Sequence, residues 1–377
     1  MSAQRTSGYL ANLTPLRGLA ALAVVIYHYS YTAFLPHLRL DLFTDFFSRG
    51  YLAVDFFFLL SGFIISHVYG GRLLSQGNFW WTYRDFIMAR LARIYPLHFF
   101  ALLIMLVVET VKAIISNGYV GLVPINETPF SNETSLWSLF TNLFLLHALN
   151  VHATLSWNEP SWSISAEWWT YVLFPLGVSF FFRLKVWTGI GAYLVSLGIL
   201  YGLQVYNGNL SLTYHYGLGR CLLEFGMGIL LYRVYQSRVL FNVFVRDATL
   251  LAGIGWVMAI WYFPVADTLV IPGFSLILLG AAHNQGYLSN ILTWSPLRWL
   301  GHISYAVYML QIPLQKIVEK SWKLIFHQPF GLHFSTGVSW LMLSLLIILL
   351  LAVATLAHRW LEIPAQVYLR KRWRVDQ

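Results

Sequence analysis

Charge is what this sequence has least of. Only 10% of its 377 residues are Asp, Glu, Lys or Arg, against about a quarter in an ordinary soluble domain. Acidic residues are the scarcer sign, 15 against 24 Lys and Arg. A chain so poor in charge and 58% hydrophobic is excluded both as a cytosolic enzyme and as a disordered segment. There is one cysteine, Cys221, so an internal disulfide framework and a cysteine-based zinc or iron–sulfur site are excluded too. No linker, low-complexity tract or internal repeat divides the sequence, and a single domain over 1–377 is expected. Nucleic-acid binding would need a basic face on a soluble scaffold, which is also missing.

What is present is a series of long apolar stretches: 16–35, 51–69, 94–115, 161–182, 187–203, 218–232, 248–264, 269–285, 299–317 and 335–357. A bilayer-crossing helix needs about 20 apolar residues, and lipid forces helix because it cannot satisfy a bare backbone N–H. The expected fold is therefore an all-α polytopic membrane protein with about ten transmembrane helices. The first stretch follows only Arg5 and Arg17 and has no convincing small-residue cleavage site, so it reads as a retained helix. The stretch 138–150 is apolar but short, and reads as re-entrant or interfacial; as a full span it would make eleven.

Basic residues set the orientation. Arg72, Arg84, Arg90 and Arg93, then Arg183 and Lys185, then Arg233, Arg238 and Arg246, then Arg298, fall in alternate loops. Arg359, Arg370, Lys371, Arg372 and Arg374 crowd the end of the sequence. With ten spans and both termini cytoplasmic, every one of these groups lies inside. The loop 116–137 carries Glu127 and Glu133 without Lys or Arg, and falls outside. Two outer segments are exceptions: Arg39 and Arg49 share a loop with Asp41 and Asp45, and Lys316, Lys320 and Lys323 surround Glu319.

An ionisable residue at membrane depth is expensive and is a functional candidate by default. His28, Asp55, Glu167 and Glu224 meet that description. Arg17 and His28 lie eleven residues apart, which at 100° per residue brings them to within about 20° of one helix face, roughly 16 Å apart along the axis. Arg17 then sits near the cytoplasmic mouth and His28 in the outer half. Counting from the outer helix ends puts Asp55 and Glu167 at a depth similar to His28. A carboxylate beside a buried imidazole restores its basicity and fixes its tautomer, which a general base in a membrane requires. The bland alternative for each is a structural hydrogen bond between helices. For Glu224 that alternative is preferred, with Arg220 at i,i+4 as its partner. Arg90 and Arg93 share a face at i,i+3; with Arg17 they form a clamp for phosphate groups, or they are ordinary cytoplasmic anchors.

Six segments together resemble the integral-membrane acyltransferase-3 family. Leu16-Arg17-Gly18-Leu19-Ala20-Ala21 running on to His28 is similar to its opening motif, and Ala53-Val54-Asp55 through Ile65 to its second-helix signature. Arg90-Leu91-Ala92-Arg93-Ile94-Tyr95-Pro96 resembles its paired-arginine motif, and Trp162-Ser163-Ile164-Ser165-Ala166-Glu167 its Trp-Ser and Glu segment. Gly301 through Tyr308 is similar to the late Ser-Tyr motif, and Glu362-Ile363-Pro364 to the terminal Glu and Pro. They occur in the family's order from Leu16 to Pro364. One position departs: where a His commonly follows the second Tyr, this sequence has Gln311, which hydrogen-bonds but does not titrate.

The resemblance implies transfer of an acyl group, usually acetyl, from acyl-CoA to a hydroxyl of a glycan or lipid-linked sugar, in a bacterial inner membrane, with no metal. The phosphates of acetyl-CoA would dock on Arg17, Arg90 and Arg93, and His28 would serve as general base or as a nucleophile. Asp55 or Glu167 would orient the imidazole, and Tyr305 and Trp162 would line the acceptor side. Some relatives carry a soluble hydrolase-like domain after the membrane part; its role is expected to be absent here or to fall to a separate periplasmic partner protein. The competing class is a transporter without covalent chemistry, which also places polar groups at mid-membrane, though without the repeated halves common in transporters. A non-catalytic assembly partner of a glycan synthase is a third class, disfavoured by His28 and the arginine pair together.

Overall fold

The computed structural model describes residues 10–31, 34–38, 47–74, 78–118, 128–239 and 241–373. Arg5, Arg39, Asp41, Asp45, Glu127 and Arg374, used above to set orientation, lie outside the described residues. Among the described residues the chain is helical without a strand. The principal helices are α1 (Leu13–Tyr31), α2 (Ala53–Leu74), α3 (Phe79–Gly118), α4 (Leu136–Leu143), α5 (Ser161–Arg183), α6 (Val186–Asn207) and α7 (Gly217–Ser237). There follow α8 (Phe241–Phe244), α9 (Asp247–Tyr262), α10 (Val270–His283), α11 (Tyr287–Leu292), α12 (Ser295–Phe326), α13 (Thr336–Ala357) and α14 (Ile363–Trp373).

Each apolar stretch read from the sequence overlaps one of these helices, though 16–35 runs beyond the end of α1 at Tyr31 and 248–264 beyond that of α9 at Tyr262. By length and composition, four described helical segments can cross a membrane: Phe47–Leu74, Phe79–Ile115, Val186–Asn207 and Thr336–Trp373. Asp247–Tyr262 and Asp267–His283 are shorter apolar helices. The eight residues of α4 cover only about 12 Å, too short to cross, so 138–150 does not supply an eleventh span. The third helix differs from expectation at its start. It begins at Phe79, and its 40 residues run roughly 60 Å, so Arg90 and Arg93 lie well inside it. Much of the molecule's outside is apolar: α13 has no charged residue, and its Ile348 is 62% exposed. A surface of that kind needs lipid as its solvent.

Two helix pairs set the centre, α1 along α12 and α2 along α7. Both depend on glycine, because only a missing Cβ lets backbones meet so closely. A Cβ on Gly301 would strike the carbonyl oxygen of Thr14, and one on Gly18 would come within 2.8 Å of the Gly301 nitrogen. In the second pair, a Cβ on Gly62 would strike the Phe225 carbonyl, and one on Gly228 the Leu59 carbonyl. One hydrophobic cluster joins α1, α3, α5, α12 and α13; another joins α2, α6, α7, α9 and α10. The polar constellations described next lie in and between these clusters.

Loop contacts tie the helix ends together. Asn12 donates to the carbonyls of Ala281 (3.1 Å) and Asn284 (3.4 Å). Arg84 donates to the Trp373 carbonyl at 2.9 Å. Asp247 opens α9 and accepts from Asn284 Nδ2 (3.0 Å) and from the backbone N–H groups of Tyr287 (2.8 Å) and Leu288 (3.0 Å). The Asn284 amide and those backbone donors hold its carboxyl below the usual range. A depressed carboxylate favours the folded state above its unfolded pKa and loses that contribution as pH falls through the folded value. This junction is therefore intact at neutral pH and loosens only in acid.

Candidate active site

Pairs of residues one helical turn apart build a polar cavity of about 130 Å³. Arg17 enters it from α1, Ser61 from α2, Arg90 and Arg93 from α3, Glu167 and Tyr171 from α5, and Ser304, Tyr305 and Tyr308 from α12. The i,i+3 spacing on α3 and the i,i+4 spacing on α5 turn each pair to the same side. Tyr171 donates to Glu167 at 2.5 Å, and its hydroxyl lies 2.9 Å from Ser61 Oγ. Arg90 donates to the Tyr69 hydroxyl at 3.1 Å and stacks 5.1 Å above that ring, while its Nε is buried without an acceptor. Arg93 lies over the Tyr305 ring at 5.7 Å and is ion-paired with Glu362. Arg17 has no ion pair or hydrogen bond among the described residues.

Glu362 owes its position to a π-helical turn, His358–Glu362, where α13 passes into α14. Such a turn inserts one residue into the helix and re-aims side chains, often at functional sites. Here it aims one carboxylate oxygen at Arg93 and the other at His358 Nδ1, 2.9 Å away. Three guanidiniums thus meet two carboxylates, Glu167 and Glu362. More basic side chains lie around the same mouth: Arg298 and His358 near His302, and Arg370 near Arg90 and Arg93.

His28 lies near the far end of α1. Its Nδ1–H donates to the Val24 carbonyl at 2.9 Å. A carbonyl only accepts, so this bond leaves Nε2 as the basic nitrogen. The ring stands edge-on to Tyr27 at 5.1 Å. Beside it are the side chains of Gln311 and Glu159. Gln311 is fully buried; its Nε2 donates to the Tyr308 carbonyl at 3.0 Å, and its Oε1 has no donor. Because Tyr308 lines the arginine cavity, residues 308–311 of α12 connect the two regions.

The sequence reading set Asp55 or Glu167 against the imidazole, and the structure gives both other partners. Asp55 accepts from Arg220 Nε at 2.9 Å and Nη2 at 2.7 Å, with both side chains fully buried. Glu224 is at 3.4 Å from the same Nε, so the expected i,i+4 clasp is present but secondary to Asp55. Glu167 belongs to the arginine cavity. Similar depth did not mean proximity, since height along a helix leaves the direction of the side chain open. Tyr305 lines the arginine cavity and donates to the Ile94 carbonyl at 2.5 Å. Trp162 covers Arg220, whose guanidinium carbon lies 5.6 Å from its ring.

Sequence reasoning missed Glu159, which lies in a non-periodic loop, and two stacked histidines, His98 and His147, with ring centroids 6.0 Å apart. These hold the segment after α4 in place: His98 Nε2 is 2.9 Å from the Asn142 carbonyl, and His147 Nε2 is 3.2 Å from Ser161 Oγ. The available signal was two histidines in apolar surroundings, each readable only as a candidate helix tie.

A helical membrane bundle with an arginine-lined cavity at one end and a half-buried imidazole towards the other defines the class. Residues 10–359 match the family described as an acyltransferase domain, and the chain belongs to this integral-membrane acyltransferase-3 family. It is similar to the peptidoglycan O-acetyltransferase OatA of Listeria monocytogenes, 24% identical over 81% of this chain and 49% of that protein. It is also similar to the O-acetyltransferase OatA of Staphylococcus aureus, 23% identical over 81% of this chain and 50% of the relative. The acyltransferase MdmB of Streptomyces mycarofaciens is 31% identical over 44% of this chain and 38% of its own. The chain spans about half the length, or less, of these curated relatives. No solved structure matches it.

Proposed function

We propose that this protein transfers an acyl group, acetyl by analogy with its relatives, from cytoplasmic acyl-CoA to a hydroxyl of a cell-surface or lipid-linked glycan. In this reading the chain crosses a bacterial inner membrane ten times with both termini in the cytoplasm. The observation that carries it is the arginine cavity. Three guanidiniums meet fewer carboxylates, Arg17 is unpaired among the described residues, and a buried Arg90 Nε lacks an acceptor. Partly buried positive charge in excess favours a ligand that supplies anions, and the forked guanidinium geometry suits phosphate oxygens.

The cavity's size limits what enters. At about 130 Å³ it is well below the ~300–1,000 Å³ that encloses a whole small molecule. The nucleotide end of CoA therefore stays at the mouth with its phosphates on Arg17 and Arg90, and the thin pantetheine arm runs inward past Tyr308. Arg93, already held by Glu362, supports the wall. The distance from Arg17 to His28 along α1 is roughly 16 Å.

At the inner end, His28 Nε2 takes the proton of the acceptor hydroxyl as its oxygen attacks the thioester carbonyl carbon. The tetrahedral intermediate collapses with cleavage of the C–S bond. The departing thiolate takes the proton back from the imidazolium, giving an O-acyl ester and free CoA. The Val24 bond keeps Nδ1 protonated throughout, so the basic nitrogen stays aimed in one direction.

Binding of acetyl-CoA to the purified protein in nanodiscs tests this directly. Replacing Arg17 and Arg90 together by Gln removes charge-assisted bonds of about 1.5–3 kcal/mol each, so affinity is expected to fall by at least tenfold. Wild type that does not bind acetyl-CoA, or a double variant that binds it equally well, would contradict the assignment. Transport of an unmodified substrate driven by a proton gradient, with no dependence on acetyl-CoA, would favour the transporter class.

A further inference from the structure

A second polar cavity, about 410 Å³, opens at the His28 end of α1. Its walls come from Tyr27, from Arg49 and Tyr51 before α2, from Gln204, Asn209 and Ser211 around the end of α6, and from Asp267 before α10. It is three times as large as the arginine cavity and within the range of small-molecule sites. We propose that it holds the sugar ring of the acceptor. This rests on the acyl-transfer reading and adds to it the place and chemical class of the second substrate.

The chemistry of the lining points to an uncharged polyol. Its two charges cancel, because Arg49 Nη1 lies 3.7 Å from Asp267. Both are also committed to fixed backbone partners. Arg49 donates to the carbonyls of Ile260 (2.8 Å) and Val265 (3.0 Å), and Asp267 accepts from the Leu210 N–H (3.0 Å) and the Tyr51 hydroxyl (2.5 Å). An anionic or cationic ligand would have to break these bonds. What remains to a ligand is amide and hydroxyl chemistry. Gln204 uses its oxygen on the Thr268 N–H (2.9 Å) and Asn209 uses its oxygen on the Ser211 N–H (2.9 Å), so each presents an NH₂ donor. Tyr27 and Tyr51 add two tilted rings, 5.7 Å apart, of the kind on which the apolar face of a sugar rests.

Position supplies the second argument. Tyr27 precedes His28 and its ring touches the imidazole edge-on at 5.1 Å. A ring seated on Tyr27 and Tyr51 would therefore lie one side chain from His28, at the end of α1 away from Arg17. Another polar cavity at this end, about 500 Å³ around Glu133, Trp137 and His152, is lined by no residue of α1. It serves as the control.

Thiol labelling separates the two cavities, because the sole native cysteine, Cys221, is buried. Ser211→Cys and Thr154→Cys are each assayed before and after reaction with a bulky maleimide. The readouts are acetyl-CoA binding and transfer of radiolabelled acetyl from acetyl-CoA to a soluble oligomer of β-1,4-linked N-acetylglucosamine. Labelling Ser211→Cys is expected to raise the KM for the oligomer at least tenfold, or to abolish transfer, with acetyl-CoA binding unchanged. Labelling Thr154→Cys is expected to change neither. Unaltered transfer by labelled Ser211→Cys, or a loss confined to labelled Thr154→Cys, would overturn the proposal. If unlabelled wild type binds acetyl-CoA but acetylates no oligomer, the assignment of this cavity to a sugar acceptor is overturned while the acyl-transfer reading stands. If it does not bind acetyl-CoA at all, the acyl-transfer reading fails and this inference with it.

Discussion

His28→Ala is expected to lower acyl transfer by about 10²–10⁴-fold, the usual contribution of a positioned general base, while acetyl-CoA binding stays within about twofold. The split follows from geometry. Arg17, proposed to hold the donor, and His28, proposed to activate the acceptor, are about three helical turns apart on α1. His28→Gln keeps hydrogen-bonding capacity but not basicity and is expected to be as inactive as His28→Ala. Single-turnover transfer from radiolabelled acetyl-CoA, read together with donor binding in the same preparation, checks the prediction. Substantial activity in His28→Gln would mean that the residue only positions the acceptor, and comparable losses of binding and transfer would mean that it supports the fold.

The second large effect is on stability. Asp55→Ala is expected to destabilise the protein by about 3–5 kcal/mol, because it strips the main counter-charge from a fully buried guanidinium. Arg220 would keep the longer contact to Glu224 at 3.4 Å, the Leu212 carbonyl at 3.3 Å and the Trp162 ring. Replacing the whole cluster, Asp55→Leu with Arg220→Met and Glu224→Gln, is expected to recover much of the loss, since apolar residues of similar volume often equal or exceed a buried ion pair. Thermal unfolding in detergent, followed by the fraction of monodisperse protein, measures both variants. An Asp55→Ala protein that melts like wild type but transfers no acetyl would return Asp55 to the chemistry, as the sequence alone suggested.

The contrast between Asp55 and His28 shows which information the sequence carried. Arg17 and His28 share one helix, so their relative height and facing followed from 100° per residue alone. The same arithmetic placed Asp55 and Glu167 at comparable depth but could not orient one helix against another. That orientation is fixed where Gly62 meets the Phe225 carbonyl and Gly228 meets the Leu59 carbonyl. These contacts bring Arg220 to Asp55 across 165 residues. The start of α3 was hidden for a different reason. Arg84, Asp85 and Arg90 interrupt the apolar run, but backbone hydrogen bonding continues through them from Phe79. Glu159 lies in a loop with no period to read. Gln311 was noticed only as a departure from a motif, and its place beside His28 needed three dimensions.

The arginine cavity and the Tyr27–Tyr51 cavity lie towards opposite ends of α1, and His28 is nearer the second. That arrangement suits an enzyme taking its donor from one side of the membrane and its acceptor from the other.

The most direct test is transfer across a sealed membrane. The protein is reconstituted into vesicles with one orientation, radiolabelled acetyl-CoA is supplied only on the side of Arg17, and the sugar oligomer only on the other. Alkali-labile acetate on the oligomer, dependent on His28 and on Arg17 with Arg90, is the expected result. Wild-type protein, folded and correctly oriented, that neither binds acetyl-CoA nor modifies the oligomer would contradict acyl transfer.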